Sequence, residues 1–157
     1  MRLKIIAFGQ RLPDWMAAGV DDYLRRLPRD TRAEIVELKP EPRDRGKTVA
    51  QMLAAEAARV EEICAAGAFL KVVLDERGQQ WDTRQLAQKL VQWRDAAHDV
   101  AFILGSADGL DATLKANADA QWSLSPLTLP HGLARVVVAE QLYRAISVNA
   151  GHPYHRE

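Results

Sequence analysis

Five short apolar segments alternate with helical patterns along this chain, and that alternation constrains the fold more than any other feature. The predicted strands are RLKIIAFG (2–9), AEIVEL (33–38), FLKVVLD (69–75), DVAFILG (99–105) and the weaker QWSLS (121–125). The predicted helices cover 13–27, 48–67, 82–97, 111–118 and 130–148. Because strands separated by helices favour parallel pairing, we predict an α/β fold with a mainly parallel sheet and helices on both faces.

Capping residues mark several of the predicted helix boundaries. Thr48 and Asp82 precede helical patterns, and their side-chain oxygens suit the N-cap position. Gly67 ends the second helix, as glycine often does. Pro28 stops the first helix, because proline cannot continue a helical hydrogen-bond pattern.

Length and composition are those of an ordinary globular protein. The 157 residues, of which 48% are apolar and 27% charged, suit a single domain spanning 1–157. The five-residue apolar run near the N-terminus is too short for the core of a signal peptide. No stretch approaches the ~18 apolar residues of a membrane span. The single cysteine, Cys64, cannot form an internal disulfide, and we expect a cytoplasmic protein.

Net charge does not identify a nucleic-acid-binding protein, because 21 basic residues balance 21 acidic ones. The distribution is less even, since eight basic residues and five acidic ones lie between positions 25 and 47. The basic residues are Arg25, Arg26, Arg29, Arg32, Lys39, Arg43, Arg45 and Lys47. Two interpretations are open: a solvated face, or a local patch that contacts phosphates.

Three polar, glycine- or proline-containing segments follow the last three predicted strands: DERGQ (75–79), GSADG (105–109) and SPLTLPHG (125–132). In an open α/β sheet, ligands bind at the carboxyl edge, where such segments leave the strands. Gly105 and Gly109 permit close approach of backbone. We therefore predict a ligand pocket formed by these three segments.

The last helix, LARVVVAEQLYRAISV (133–148), is apolar over most of its circumference. On a helical projection Glu140, Arg144 and Ser147 form one narrow polar stripe, and Arg135 stands alone on the far side. A helix that covers one face of a sheet needs an apolar arc of only ~100°. We predict burial on two sides, against the sheet and against a second copy in a homodimer. Glu140 and Arg144 are spaced for a local ion pair.

Some patterns suggest a P-loop nucleotide-binding protein. RGKT (45–48) lies between a strand and a helix, and VVLDE (72–76) resembles the acidic end of a nucleotide-binding strand. The P-loop pattern requires glycine where this chain has Glu41, and Pro42 removes a backbone N–H from the loop. This function remains only a remote alternative.

Other common site patterns are missing from the sequence. GSADG is not the dinucleotide-binding G-x-G-x-x-G, and the hydrolase pattern G-x-S-x-G does not occur. No Cys/His set has zinc-ligand spacing, and His152 and His155 flank a proline without a carboxylate framework. We expect no metal.

Four segments in combination resemble the RlmH family: LDERG (74–78), ILGSADGL (103–110), WSLSPLTLPHGLARVVVAEQLYRA (122–145) and HPYHRE (152–157). Its members are small SPOUT-superfamily methyltransferases of 23S rRNA. They act on N3 of a pseudouridine, position 1915 in the usual rRNA numbering, in the helix 69 hairpin of the assembled 70S ribosome. The resemblance implies the same reaction, S-adenosyl-L-methionine as cofactor, a deep C-terminal trefoil knot and a homodimer through the last helix.

The resemblance also implies which residues bind the cofactor. These are Leu74, Gly105, Gly109, Leu124, Ser125, Pro126, Leu127, Thr128 and Leu129. Apolar walls with a few backbone polar groups suit a flat adenine. The chain departs from the family at Ser106, where a glycine is usual, so the contacts of this loop are expected to differ.

The resemblance gives the chain's last residues a catalytic role. His155 would remove the N3 proton, Arg156 would stabilise the resulting negative charge or hold a phosphate, and Tyr154 would stack on the base. His131, after the cofactor loop, is a second candidate beside the methyl group. Two alternatives remain open: His131 caps the last helix, and Tyr154 only anchors the tail by packing.

A non-enzymatic function is the main alternative. In this interpretation the chain keeps the fold and associates with the ribosome, but Ser106 has abolished methyl transfer. Cofactor binding accompanied by turnover would separate the two functions.

Overall fold

The computed structural model describes residues 1–9, 11–43 and 46–156. All the predicted strands and helices form. The strands are β1 (Arg2–Phe8), β2 (Arg32–Leu38), β3 (Phe69–Gln80), β4 (Asp99–Leu104) and β5 (Ala120–Ser123). The helices are α1 (Asp14–Arg25), α2 (Val49–Gly67), α3 (Thr83–Asp95), α4 (Ala112–Ala116) and α5 (His131–Asn149). A 3-10 turn at Pro153–Arg156, called the terminal turn below, follows α5.

The five strands form one sheet in the order β2-β1-β4-β3-β5, and every pair is parallel. One apolar cluster joins a face of the sheet to α1, α3 and α5. A second cluster joins the other face to α2 and α4. The predicted α/β architecture, with helices on both faces, is therefore confirmed.

Local capping chemistry sets the helix starts as predicted. Thr48 and Asp82 each accept a hydrogen bond from the backbone N–H three residues on, and Gln51 and Gln85 complete the two capping boxes. The end of α2 differs from expectation, because Ala68 rather than Gly67 takes the left-handed conformation, with φ of 54°. A Cβ on Gly67 would collide with the Phe69 ring, so packing explains that glycine.

Strand β3 is longer than predicted, because 75–79 continues the strand instead of leaving the sheet as a loop. The pairing with β5 shifts register between Leu74 and Gln79, and Gln79 pairs again with Trp122. A Cβ on Gly78 would lie 2.7 Å from the carbonyl carbon of Gln121, so glycine permits this close approach. Trp81, just after β3, stacks on Trp122 with ring centroids 5.3 Å apart.

Helix α5 lies between α1 and α3 on one face of the sheet. Those two helices of the same chain cover both flanks of α5. They therefore account for much of the apolar surface that the homodimer prediction places against a second copy. Arg135, expected to stand apart from the polar stripe, is buried and forms an ion pair with Glu37. The predicted pair between Arg144 Nε and Glu140 Oε1 is present at 2.7 Å.

Candidate active site

A cavity of about 590 Å³ opens beside the middle of β3, where its pairing with β5 shifts register, and at the carboxyl ends of β4 and β5. Residues of all three segments that the sequence singled out contribute to its lining, although 75–79 belongs to β3 and only the other two segments follow their strands. The lining comprises 74–77, 104–110, 122–125, 127–129, Lys115, His131 and Ala134. The lining includes several leucines and one tryptophan, and its charged residues are Asp75, Glu76, Arg77, Asp108 and Lys115.

Eight of the nine residues assigned to the cofactor line this cavity. They are Leu74, Gly105, Gly109, Leu124, Ser125, Leu127, Thr128 and Leu129. Pro126 belongs to the same loop but does not contribute to the lining.

The loop at 105–109 folds tightly on itself. Gly105 faces Gly109 so closely that a Cβ on Gly105 would lie 2.5 Å from the Gly109 carbonyl oxygen. The Gly109 N–H donates to the Ser106 carbonyl at 2.9 Å, and Gly109 has a φ of 87°, which glycine adopts without strain. Both glycines are therefore required by the shape of this cavity wall.

Ser106, the position where the family usually has glycine, is 2% exposed. Its Oγ accepts a hydrogen bond from Nη2 of Arg43 at 3.0 Å. The additional hydroxyl is thus held by a guanidinium from the segment after β2.

Serine hydroxyls organise the loop after β5. Ser123 Oγ donates to the Ser125 carbonyl at 3.2 Å, and the Leu127 N–H donates to Ser125 Oγ at 2.9 Å. Leu127 is 74% exposed at the cavity, which is unusual for a large apolar side chain. This loop therefore offers an apolar surface on a hydrogen-bonded backbone.

His131 is the first residue of α5 and lines the cavity. Pro130 occupies the N-cap position, and no side chain caps this helix. The alternative that His131 caps the last helix is therefore wrong, and its imidazole remains available to the cavity.

Tyr154 in the terminal turn packs against its own α5. Its ring lies 4.7 Å from that of Tyr143, and its hydroxyl donates to Glu140 Oε1 at 3.3 Å. The Arg26 guanidinium lies 5.2 Å from the Tyr154 ring centroid. Burial, a hydrogen bond with Tyr23 and the charge of Glu140 raise the pKa of Tyr154 above its usual range. Within one chain, Tyr154 therefore anchors the tail.

The other two tail residues also lie away from the cavity of their own chain. His155 lines a separate cavity of about 500 Å³ between α3 and α5, together with Arg84 and Arg144. Arg156 is exposed. Tyr154 contacts Glu140, nine residues beyond His131, so about 14 Å of helix separates the anchored tail from the first turn of α5. The structure does not bring the tail and the cavity together within one chain.

A family model described as predicted SPOUT methyltransferase matches residues 1–155. The chain belongs to the SPOUT methyltransferase family. It is 56% identical over 157 residues, the whole of both chains, to ribosomal RNA large subunit methyltransferase H of Methylibium petroleiphilum. It is 54% identical over 156 residues, 99% of each chain, to the protein of the same name from Bordetella petrii. These relatives confirm the resemblance to the RlmH family.

Two solved structures share the fold of this chain. A probable methyltransferase from Bordetella pertussis superposes with a TM-score of 0.58 at 20% identity, covering 92% of this chain and 96% of the other. A probable methylase family protein from Haemophilus influenzae gives a TM-score of 0.54 at 14% identity, covering 98% of this chain and 69% of the other.

Asp75 is a residue of this cavity that was not predicted from the sequence. Its side chain lines the cavity, is 12% exposed, and accepts hydrogen bonds from Lys115 Nζ at 3.0 Å and from the Arg77 N–H at 2.9 Å. Burial alone would raise the pKa of Asp75, but these two donors outweigh it and lower the pKa. The signal in the sequence was an acidic residue at the end of the predicted buried strand 69–75. Lys115 could not be paired with it, because the two are 40 positions apart.

The basic residues between positions 25 and 47 do not form one positive patch among the described residues. Arg25 and Arg26 both pair with Asp22, at 3.1 and 3.3 Å, and Lys47 pairs with Glu41 at 3.5 Å. The exposed Arg29, Arg32 and Lys39 are spread from the end of α1 to both ends of β2. Arg45, and with it part of the RGKT segment, lies outside the described residues.

The remaining part of RGKT does not behave as a phosphate loop. The Thr48 hydroxyl accepts the Gln51 N–H and so caps α2. In the ranges that the structure describes, no group of three or more His, Cys, Asp or Glu residues is placed to hold a metal ion. No helix in those ranges is long and apolar enough to cross a membrane.

Proposed function

We propose that this protein methylates N3 of a pseudouridine in the helix 69 hairpin of 23S rRNA, using S-adenosylmethionine, on assembled cytoplasmic ribosomes. The observation that carries the proposal is the cavity beside the middle of β3 and the carboxyl ends of β4 and β5, because all three segments that RlmH proteins are expected to use line it. The relatives that cover the whole chain are named as methyltransferases of large-subunit ribosomal RNA.

The cavity suits the proposed cofactor in size and chemistry. Its volume of about 590 Å³ falls within the usual range for small-molecule sites. The backbone of 124–129 and the apolar side chains of Leu74, Leu124 and Leu129 would hold the adenine, while Asp75 offers a carboxylate to a cationic or hydroxyl group. S-adenosylmethionine, when bound, supplies an electrophilic methyl group on a sulfonium sulfur.

The side chains supply the proton transfer and charge stabilisation. Nucleophilic attack by N3 requires loss of its proton, and His155 is the proposed acceptor, with His131 at the cavity as the alternative. Arg156 stabilises the negative charge that spreads over the ring carbonyls. Tyr154 stacks on the base.

A homodimer explains how the tail meets a cavity. The tail of one chain is anchored at Glu140 and Tyr143, well beyond the first turn of α5 where its own cavity lies. We propose that two copies associate through α5, so that the tail of one subunit completes the site of the other. A monomeric mass at micromolar concentration in sedimentation equilibrium would contradict this arrangement.

A deep trefoil knot completes the proposed architecture. Its support is the path of the chain: β5 lies at the edge of the sheet, yet α5 packs between α1 and α3 after the loop at 124–130 has lined the cavity. A knot would require that loop to turn back from the edge strand past the segment after β4.

Ribosome contacts are proposed for the exposed basic residues at the end of α1 and on β2. Arg29 and Arg32 are candidates because no acidic side chain among the described residues pairs with either. Charge reversal at Arg29 and Arg32 should lower methylation of intact ribosomes. Unchanged activity would show that these residues do not contribute to ribosome binding.

The deciding experiment measures transfer of labelled methyl from S-adenosylmethionine to intact ribosomes, free 23S rRNA and protein-only controls. We expect label at N3 of a pseudouridine in ribosomal RNA, and its loss when the chain ends after Pro153. His155→Ala should also abolish transfer, whereas His98→Ala, at an exposed histidine remote from both cavities, should not. Cofactor binding without transfer in any arm would favour the non-enzymatic ribosome-binding function.

A further inference from the structure

The guanidinium of Arg43 joins three separate segments of the chain. Nη1 donates to the Glu41 carbonyl at 2.7 Å and to Glu56 Oε1 at 3.1 Å. Nη2 donates to Ser106 Oγ at 3.0 Å, and Nε lies 2.8 Å from Asp108 Oδ2. All three nitrogens of one side chain are therefore engaged, two of them with the loop that lines the cavity.

Glu56, the ion-pair partner of Arg43 on α2, is held in place. Glu56 lies on α2 and is 3% exposed, and the same Oε1 also accepts the Glu41 N–H at 3.1 Å. A buried carboxylate on a long helix gives Arg43 a rigid point of attachment, because moving the guanidinium would leave that charge unpaired. The segment after β2 is thereby tied both to α2 and to the cavity wall.

The loop held by Arg43 has little room to adjust. Gly105 and Gly109 are in contact, and the Gly109 N–H bonds back to Ser106. A shift of Ser106 or Asp108 would therefore be passed to the glycine backbone that lines the cavity.

We propose that Arg43 is a positioning residue that holds the 105–109 wall of the cavity through Ser106 and Asp108. Arg43 touches no reacting atom. It orders the 105–109 wall before the cofactor binds, so less conformational entropy is lost on binding. The inference rests on the proposed cofactor site. It also gives Ser106 a purpose, since its hydroxyl is the acceptor that a glycine at this position would lack.

Arg43→Gln in the full-length protein tests the inference with two readouts. Hydrogen exchange of the amides in 105–110 should become faster in the absence of any ligand. In calorimetric titration, S-adenosylmethionine should bind about 5- to 20-fold more weakly, as expected when charge-assisted hydrogen bonds are lost. Ser106→Ala should weaken binding less, and adding it to Arg43→Gln should have little further effect because the two share one contact.

Lys47→Gln is the matched control, since it removes a positive charge from the same segment, and among the described residues Lys47 pairs with the Glu41 carboxylate and not with the 105–109 loop. It should leave both readouts unchanged, whereas Arg43→Lys should recover part of the affinity. Unchanged exchange in 105–110 for Arg43→Gln overturns the inference, as does unchanged affinity in a variant that is fully folded. Failure of the wild type to bind S-adenosylmethionine overturns the proposed cofactor instead, and exchange still decides whether Arg43 orders the wall.

Discussion

Arg135 and Glu37 form an ion pair between α5 and the edge strand β2, with Nη1 and Oε2 3.2 Å apart. The Arg135 side chain is only 2% exposed, whereas that of Glu37 is 54% exposed. Nε of Arg135 is also buried and makes no hydrogen bond to the residues that the structure describes. Among the residues that the structure describes, Glu37 is thus the counter-ion that offsets the cost of burying this charge.

Glu37→Ala should therefore reduce stability by about 1–3 kcal/mol, because it leaves the buried guanidinium without a counter-ion. Glu34→Ala on the same strand is the control. Glu34 is 62% exposed and pairs with Lys4, whose side chain is 20% exposed, so its loss should cost less than about 1 kcal/mol. Urea unfolding of both variants measures the difference. Equal losses of unfolding free energy in the two variants would show that Glu37 does not stabilise the buried Arg135 guanidinium.

Tyr154→Ala should loosen the terminal turn, since it removes the ring contact with Tyr143 and the hydroxyl bond to Glu140. We expect hydrogen exchange of the amides in 150–156 to rise by about tenfold, in line with the energy of an aromatic pair. Tyr154→Phe keeps the ring and should stay near the wild type. Exchange that is equally fast in all three proteins would mean that the tail is not anchored in solution.

Gly105→Ala should disrupt the cavity wall, because its Cβ would lie 2.5 Å from the Gly109 carbonyl oxygen. Overpacking of this kind costs about 1–3 kcal/mol, and cofactor affinity should fall with the displaced backbone. Gly19→Ala is the contrasting case: its Cβ would meet Val136 Cγ1 at 3.8 Å, an ordinary contact, inside α1. That variant should gain about 0.5–1 kcal/mol. Thermal unfolding and calorimetric titration of the pair check both expectations.

Cys64 should resist alkylation in the folded protein. It is 3% exposed in α2, and burial raises its pKa from 9.0 to about 11. At pH 8 the thiolate fraction falls by about 100-fold relative to the unfolded chain, so iodoacetamide should react at least that much more slowly without urea. Comparable rates with and without urea would place the thiol at the surface.

The same raised pKa gives a stability effect with a defined sign. The folded state favours the neutral thiol, so this contribution to stability is complete below about pH 9 and is lost as the pH rises through about 11. Cys64→Ala should lack that part of the alkaline loss. Identical alkaline profiles for the two proteins would contradict the assignment.

Features set by neighbouring residues were predictable from the sequence. Thr48 and Asp82 cap their helices through bonds to residues three positions on, which a local pattern reveals. The parallel sheet followed from the alternation of strands and helices, and the meeting of three segments at one edge followed from the parallel sheet.

Features set by distant partners were not predictable. The extension of β3 depends on Gly78 facing Gln121 across a shifted register. The burial of Arg135 depends on Glu37, 98 positions earlier in the chain. The C-terminal tail illustrates a further limit, since its sequence resembles that of a family's catalytic tail while the structure of one chain anchors Tyr154 away from the cavity.

The stacked indoles of Trp81 and Trp122 provide the protein with an intrinsic optical reporter. Trp122 lines the cavity and its ring lies 15° from parallel with that of Trp81, so the two chromophores are close enough to couple. A molecule that enters the cavity changes the surroundings of one member of the pair. Near-ultraviolet circular dichroism and tryptophan emission can therefore follow occupancy without a label, and at the same time signal any loosening of the contact between β3 and β5.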